Sequence, residues 1–311
     1  MIWARVLGAL IAAAALAALA VLAPQAAADG WRAAFLLLSA APLGAVSLLL
    51  ISRLVGTNWQ EALGPLLPFV PWLALLALPV VLGQALFHHP VAHLHIWLSW
   101  PFFLIRSAIA LGFWSWMARS LMRGGPALPG PALLAHGVIV SFIAFDWIMG
   151  VAPAQPNSAI GMVLATMQIG AACAFACLAR TGDLRRRRDF SYLLIACGLA
   201  LAYFLYMDFV IVWFGNLPAH VGWYLDRRDF PAAALPGLCL ILGLFAPALL
   251  VPALRGDRGR VWAAASALAA LALIDDWFVA GPDGWAGLAA MIASVAAVLF
   301  LVPFSRREAR A

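Results

Sequence analysis

The amino-acid sequence predicts an all-α, polytopic membrane protein with about ten transmembrane helices. Of the 311 residues, 66% are hydrophobic and only 10% are charged, whereas soluble domains carry about 25% charged residues. Apolar runs of about 20 residues, the length that crosses a bilayer core, recur along the whole chain. All 19 basic residues are arginines, and most lie in short turns between these runs. We attribute the pI of 9.8 to this positive-inside pattern and predict no nucleic-acid partner.

The apolar runs divide the chain into ten candidate helices within a single membrane domain, residues 1–311. They cover residues 2–23, 31–54, 62–84, 97–121, 131–150, 158–180, 190–215, 233–254, 260–280 and 284–304. The first run is followed by three alanines, 26–28, which resemble a signal-peptidase site. Because this run is longer than the roughly 7–15 residues of a signal peptide, we expect a retained helix.

The arginines also predict the orientation of the chain. With the N-terminus in the cytoplasm, 15 of the 19 arginines fall on the cytoplasmic side. Arg32, Arg227 and Arg228 fall on the outer side, and Arg106 lies within a helix. Such a bias predicts that both termini are cytoplasmic, and it supports the even number of spans.

Ionisable residues lie inside several of the predicted helices. At about 1.5 Å per residue, Arg106 lies roughly 14 Å from the outer end of its helix, Asp146 roughly 6 Å and Asp208 roughly 10 Å. Asp275 and Asp276 lie within about 9 Å of the outer end of their helix. We expect one of them to face the helix bundle and the other to face the interface. Charges inside a membrane are costly, so their shared depth predicts mutual pairing or a wet cavity.

Two interpretations of this layer remain open. Arg106 and one aspartate can form a buried ion pair that only fixes helix packing. Alternatively, the layer is a polar cavity that transfers protons or holds a polar headgroup, with Tyr203, Tyr206 and His136 as further members. The two tyrosines share a helix face, yet tyrosines near the interface are often membrane anchors.

A histidine-rich loop precedes the helix that carries Arg106. It contains His88, His89, His93 and His95, of which the outer-face pair His93 and His95 has a spacing that can bind zinc or copper. No acidic or cysteine ligand accompanies them, so we predict no metal site. No helical histidine accompanies His136, which argues against bound haem b, and the sequence has no CxxCH motif for covalent haem.

A weak internal repeat suggests how the helices are grouped. Residues 145–147 (FDW) and 275–278 (DDWF) both end helices that run outward, four spans apart. Two parallel four-helix bundles, residues 31–150 and 158–280, would produce this repeat. Residues 2–23 and 284–304 are then peripheral helices.

Three motifs resemble a known family. Residues 101–106 (PFFLIR), 145–149 (FDWIM) and 213–218 (WFGNLP), the last followed by Trp223-Tyr224, are similar to the ActF-type membrane subunit of bacterial alternative complex III. That complex is a quinol:cytochrome c oxidoreductase, and the subunit belongs to the NrfD/polysulfide-reductase membrane subunit superfamily. The resemblance covers roughly residues 30–300, and Arg106 and Asp146 fall on matching motif positions.

The resemblance implies ten helices in two four-helix bundles with two peripheral helices, in the bacterial inner membrane. It implies no covalently bound cofactor in this chain, with quinone or menaquinone as the mobile partner. Multihaem cytochrome and iron–sulfur subunits and a paralogous NrfD-like subunit are the implied protein partners, beside membrane lipid. The expected function is a polar intramembrane cavity for proton conduction, with quinol binding as a second expected role.

Two other functions are compatible with the same residues. A small-molecule or ion transporter would use the buried charges and parallel repeats. Transporter helices are usually broken by glycine or proline at the midplane, whereas prolines here are concentrated at helix ends and in the third predicted helix. A membrane metalloenzyme would use the loop histidines. Uptake by the chain alone and metal analysis, respectively, would distinguish these functions from the first.

Overall fold

A computed structural model shows an all-helical chain. It describes residues 2–87, 96–97, 99–150, 157–179, 184–230, 232–253, 257–279 and 284–301. Every regular element in these ranges is a helix, and none of the described residues forms a strand. The predicted all-α class is therefore confirmed.

The described residues form fourteen α-helices, which short 3₁₀ and π segments interrupt or join. The α-helices are α1 (Ile2–Leu22), α2 (Pro24–Val55), α3 (Gln60–Leu63), α4 (Leu73–Leu76), α5 (Leu78–Phe87), α6 (Trp100–Met122), α7 (Pro129–Ala144), α8 (Ile160–Ala179), α9 (Leu184–Phe214), α10 (Pro218–Leu225), α11 (Leu235–Leu240), α12 (Ala246–Ala253), α13 (Asp257–Val279) and α14 (Gly284–Leu301). The 3₁₀ segments are Gly64–Trp72 and Ala232–Ala234, and the π segments are Phe145–Met149 and Ile241–Phe245.

The described chain is that of a multi-pass membrane protein. Within the ranges given above, eight helical segments are long and apolar enough to cross a membrane: Pro24–Val55, Gln60–Phe87, Trp100–Met122, Pro129–Met149, Ile160–Ala179, Arg187–Phe214, Ala232–Pro252 and Asp257–Val279. Two further apolar helices, Val6–Leu22 and Trp285–Phe300, are shorter. The total of ten spans and the orientation stay predictions.

Prolines explain the irregular helical segment Gln60–Phe87. Pro65, Pro68 and Pro71 follow one another at intervals of three, and each lacks the N–H that an α-helix would use. This part of the span therefore forms the 3₁₀ segment Gly64–Trp72 and continues as α4 and α5.

Helix α2 is the centre of the structure, and close contacts between small residues hold its neighbours. A Cβ atom at Gly44 would overlap the backbone carbonyl oxygen of Gln168 on α8. A Cβ atom at Gly30 would overlap the carbonyl oxygen of Gly287 on α14. Small residues allow such close approach of helices in membranes, where the hydrophobic effect does not drive association.

The helices form two sets that meet along α2 and α8. Helix α2 packs on the segment Gln60–Phe87, on α6 and on α7, and α6 packs on that segment as well. Helices α8, α9 and α13 pack on one another, and α13 also packs on α11 and α12. Helices α1 and α14 pack together against α2. We call residues 24–149 the first set and residues 160–279 the second set.

Neighbouring spans run in opposite directions, so the bundle has two distinct ends. At one end, side chains of α2, α5 and α6 gather around Asp146, and at the other the ring of Trp59 contacts that of Phe190, with centroids 5.6 Å apart. We call these the Asp146 end and the Arg187 end, the latter after Arg187, which lies one helical turn before Phe190 on α9.

Two expectations were wrong. Arg32 was expected on the outer side, at the start of a helix over residues 31–54, but α2 begins at Pro24, so Arg32 lies two turns inside the helix and is 1% exposed. Asp275 and Asp276 were expected to face different environments, yet both are buried, at 2% and 3% exposed. Residues 24–30 lack a long apolar run, so the sequence does not predict them as part of the helix. In the structure α2 packs on α14 and α5, and the helix includes these residues.

Candidate functional site

A bidentate ion pair between Arg106 and Asp146 lies at the Asp146 end of the first set. The Nε atom of Arg106 donates to Oδ2 of Asp146 at 2.6 Å, and Nη2 donates to Oδ1 at 2.8 Å. The Asp146 side chain is 0% exposed and that of Arg106 is 16% exposed. This planar two-bond geometry is the strongest arrangement of a guanidinium with a carboxylate.

Local structure sets the position of both side chains. Pro101 stands in the first turn of α6, where it costs no hydrogen bond, and Arg106 lies one turn further along. Asp146 lies in the π segment, which Gly150 closes by donating its backbone N–H to the carbonyl of Phe145 at 2.9 Å. A π segment shifts the side chains that follow it, and such segments recur at functional sites.

Trp97 covers the guanidinium of Arg106 from the connection before α6. Its carbonyl accepts from Nη2 of Arg106 at 2.5 Å, and its ring centroid lies 4.1 Å from Cζ. The Trp97 ring also contacts Phe142, with centroids 6.0 Å apart. Arg106 therefore has three attractive neighbours: a carboxylate, a carbonyl and an aromatic face.

A second buried guanidinium stands next to this pair. Nη2 of Arg32 donates to Oε1 of Gln84 at 2.9 Å, and Cζ of Arg32 lies 5.8 Å from the ring centroid of Phe103. Arg32 also interacts electrostatically with Asp29 and Asp146. We call Arg32, Gln84, Arg106 and Asp146 the outer polar cluster, after the side of the membrane that the arginine distribution predicts for it.

The outer polar cluster contains more donors than acceptors. Nε and Nη1 of Arg32, Nε2 of Gln84 and Nη1 of Arg106 are buried and have no hydrogen-bond partner in the part of the chain that the structure describes. Each unpaired buried donor costs on the order of 1–3 kcal/mol. The arrangement therefore favours the entry of water or of another group with acceptor oxygens, which is what proton exchange at Asp146 would need.

His136 occupies a separate hydrogen-bonded site. Nε1 of Trp114 donates to Nδ1 of His136 at 3.0 Å, so Nε2 carries the histidine proton and faces Oγ of Ser47 at 2.7 Å. Ten residues separate His136 from Asp146, about 15 Å along the helix axis. The structure does not bring His136 to the ion pair, and its two hydrogen bonds tie α2, α6 and α7 together.

Asp208, Tyr203 and Tyr206 belong to the second set. The hydroxyl of Tyr224 on α10 donates to Oδ2 of Asp208 at 2.7 Å. Tyr203 and Tyr206 are 57% and 64% exposed, and together with Asp208 they line a cavity of about 780 Å³. The predicted layer is thus divided between two sites in different halves of the molecule.

Asp276, which follows Asp275 on α13, lies near Arg227, which follows α10. Nε of Arg227 donates to the carbonyl of Trp277 at 3.0 Å, and its Cζ lies 3.9 Å from the ring centroid of Trp223. Burial lowers the pKa of Arg227 to about 10, although Asp226 and Asp276 favour its charged form. Arg227 is therefore cationic at neutral pH and provides the counter-charge for the end of α13.

Several members of these sites were not predicted from the sequence. The missed residues are Arg32, Gln84, Trp97, Tyr224 and Arg227. Trp223-Tyr224 stands in the third motif, so its position after the WFGNLP turn could have indicated Tyr224. Nothing in the local sequence marks Gln84, because its role depends on a helix 52 residues away. The loop histidines His88, His89, His93 and His95 lie outside the described residues, so the zinc or copper alternative stays untested.

No protein-family model matches the chain, and no curated protein does.

Proposed function

We propose that this chain is a non-haem integral membrane subunit of a bacterial quinol:cytochrome c oxidoreductase of the alternative complex III type. In this proposal its outer polar cluster conducts protons that quinol oxidation releases. The redox centres belong to multihaem cytochrome and iron–sulfur partners, beside a paralogous NrfD-like membrane subunit. The chain resides in the inner membrane, and its Asp146 end faces outward, as the arginine distribution favours.

One observation carries the proposal. The Arg106–Asp146 ion pair joins two of the three family-like motifs, residues 101–106 and 145–149, and is buried within the membrane-length helices. Intramembrane ion pairs are rare and costly, and they commonly mark pathways of ions or protons. A pair needed only for packing could be replaced by apolar side chains at little cost.

The third motif supports the same end of the molecule. Residues 213–218 form the turn between α9 and α10, where Asn216 has a φ of 45°. Asparagine tolerates this left-handed conformation better than most residues. The turn returns the chain so that Tyr224 reaches Asp208. All three motifs thus shape the end of the bundle that carries the buried charges.

A route for protons would continue inward from Asp146 through buried polar groups. Nε1 of Trp147 donates to Oγ of Ser107 at 3.1 Å. Gln168, at the contact of α2 with α8, is 1% exposed, and neither of its amide atoms has a partner among the described residues. It lies eleven residues, about 16 Å, from the Arg187 end of α8. Gln168 is therefore placed to bind a water molecule between the two ends.

The first experiment tests the assembly. The chain is tagged in its source cells and purified in mild detergent. We expect haem-containing and iron–sulfur partners to co-purify, with quinol:cytochrome c activity. Purification of the chain alone, with neither haem absorbance nor such activity, would contradict the proposal.

The second experiment tests the ion pair within the complex. Asp146→Asn keeps the side-chain volume and removes the charge, and it should reduce turnover or the protons released per quinol. Asp189→Asn is the matched control, because Asp189 is an exposed aspartate near the Arg187 end of α9. Unchanged turnover and proton release in Asp146→Asn would exclude Asp146 from the mechanism.

A transporter function would give a different result. The π segments 145–149 and 241–245 interrupt two spans, and interrupted helices are a feature of transporters. Reconstituted alone in liposomes, a transporter would accumulate a small solute or ion under a pH gradient. A subunit of the proposed type would show no uptake without its partners.

A further inference from the structure

The cavity of the second set has the shape of a slot along α9. Its lining on that helix extends from Leu194 to Phe209, fifteen residues or about 22 Å apart. Helices α11 and α13 line the facing side, and α10 lines the Asp146 end. The volume of about 780 Å³ lies within the range of small-molecule sites in proteins.

The two ends of the slot differ in polarity. The Asp146 end contains the Asp208 carboxylate, the hydroxyls of Tyr206 and Tyr224, and the ring of Trp223. The other end is apolar and narrows where a Cβ atom at Gly198 of α9 would overlap a backbone carbonyl oxygen in the second π segment. Such a gradient suits a molecule with a polar head and a hydrocarbon tail.

The protein leaves this side of the second set incompletely covered. In an apolar 18-residue stretch of each of the spans Arg187–Phe214 and Ala232–Pro252, 17% of the residues are buried, against 78% in such a stretch of Pro24–Val55. The exposed Tyr203 and Tyr206 lie about 16 Å and 12 Å from the end of α9 at Phe214, which is within the hydrocarbon core. A hydroxyl group there costs free energy unless it has a hydrogen-bond partner.

We propose that the slot binds one neutral amphiphile with a hydroxyl-bearing head and a single long hydrocarbon tail. The head lies at the Asp146 end, where its hydroxyl donates to Asp208 and its body contacts Trp223 and Tyr224. The tail extends along α9 toward Leu194. The site is separate from the outer polar cluster and belongs to the second set.

An anionic lipid head fits the slot less well than a neutral one. The Asp208 carboxylate repels a phosphate group, and Arg227, the only cation among the described lining residues, keeps its charge but has Nε and Nη1 engaged by the carbonyls of Trp277 and Trp223. An uncharged hydroxyl, by contrast, gives Asp208 a further charge-assisted hydrogen bond.

Two membrane molecules have this chemistry: the quinol of the pool and a neutral single-tailed lipid. The choice of a quinol as the ligand rests on the proposed function. The binding of a neutral amphiphile does not, because it can be measured on the chain without partner subunits. Failure of binding would therefore leave the assembly experiment above unaffected.

Native mass spectrometry of the purified chain, released from detergent micelles, tests the site. The micelles are supplemented separately with decylubiquinol, with monoolein or with phosphatidylglycerol. We expect one saturable adduct of decylubiquinol or of monoolein, and the molecule that saturates at the lower concentration identifies the source. No saturable adduct of either, or an adduct of phosphatidylglycerol alone, would overturn the proposal.

Variants locate the adduct. Ala202→Phe fills the slot and should reduce the adduct at least tenfold, whereas Ala196→Phe, on an exposed position of the same helix outside the slot, should leave it unchanged. Asp208→Asn removes only the charged acceptor, and we expect about tenfold weaker binding, which equals about 1.4 kcal/mol. Wild-type binding by both Ala202→Phe and Asp208→Asn would place the adduct elsewhere and overturn the assignment.

Discussion

The Arg106–Asp146 ion pair should show a large coupling free energy in the folded protein. The perturbation is a double-mutant cycle made of Arg106→Gln, Asp146→Asn and the double variant. Each single substitution removes one charge and leaves the other buried, whereas the double variant leaves two neutral amides. The cycle therefore separates the cost of each substitution from the coupling of the two side chains, which is measured relative to the pair of amides.

The structure indicates the size of the coupling. Two charge-assisted hydrogen bonds of 2.6 and 2.8 Å join the side chains, and the carboxylate is fully buried. Removal of one partner of a buried ion pair costs about 3–5 kcal/mol. Because the Trp97 carbonyl and ring retain part of the interaction with Arg106, we expect a coupling of about 2–3 kcal/mol. For comparison, hydrogen bonds between membrane helices typically show a coupling free energy of only about 0.6 kcal/mol in double-mutant cycles.

Reversible unfolding in mixed micelles with increasing SDS, followed by tryptophan fluorescence, measures each free energy of unfolding. The hydrogen bond from Trp147 to Ser107 provides a control cycle with Trp147→Phe and Ser107→Ala, because it is buried, neutral and at a similar depth. We expect its coupling to be near 0.6 kcal/mol. A coupling below about 0.5 kcal/mol for Arg106 and Asp146 would refute the ion pair, since independent sites are additive within that margin.

Three further predictions concern the packing of the helices and the second charged site. Ser47→Ala should lower the free energy of unfolding by about 1 kcal/mol, because Nε2 of His136 then loses its partner, and the same unfolding assay measures this loss. Gly44→Leu should prevent the close contact of α2 with α8 and abolish the monodisperse peak in gel filtration, whereas Gly112→Leu should not, because open space surrounds Gly112. Arg227 should not make the free energy of unfolding depend on pH between pH 6 and 8, since its pKa of about 10 in the folded protein lies above that range. Above pH 10, as far as the ordinary pKa of an arginine side chain, the unfolded chain binds more protons than the folded protein. The free energy of unfolding should therefore rise with pH, and an Arg227→Gln variant should lack this rise.

Most helices could be predicted from the sequence because lipid imposes a simple rule. An apolar run of about 20 residues can satisfy its backbone only as a helix, so hydropathy alone finds the span. The predicted ends of the span near Arg106, residues 97–121, and the observed helix, Trp100–Met122, differ by one to three residues. Polar residues at helix ends weaken this rule, and it failed at the start of α2, which begins at Pro24 rather than at residue 31, so that Arg32 is buried instead of lying at the outer end of the helix.

The candidate site could be predicted only in part. Arg106 and Asp146 stand out because charges interrupt apolar runs, and the structure pairs them. Their role in proton transfer stays a prediction. The partner of Asp208 was not foreseen, since Tyr224 reaches it through the turn at Asn216 rather than along one helix.

The sequence by itself determined that this is a helical membrane protein and which residues carry charge inside it. Both facts depend on local composition, to which the bilayer responds segment by segment. Only the tertiary structure decided how the charges are divided: Arg32, Arg106 and Asp146 in one set of helices, Asp208 and Arg227 in the other. That division depends on the rotation and close approach of helices far apart in the chain, which side-chain packing determines and hydropathy does not encode.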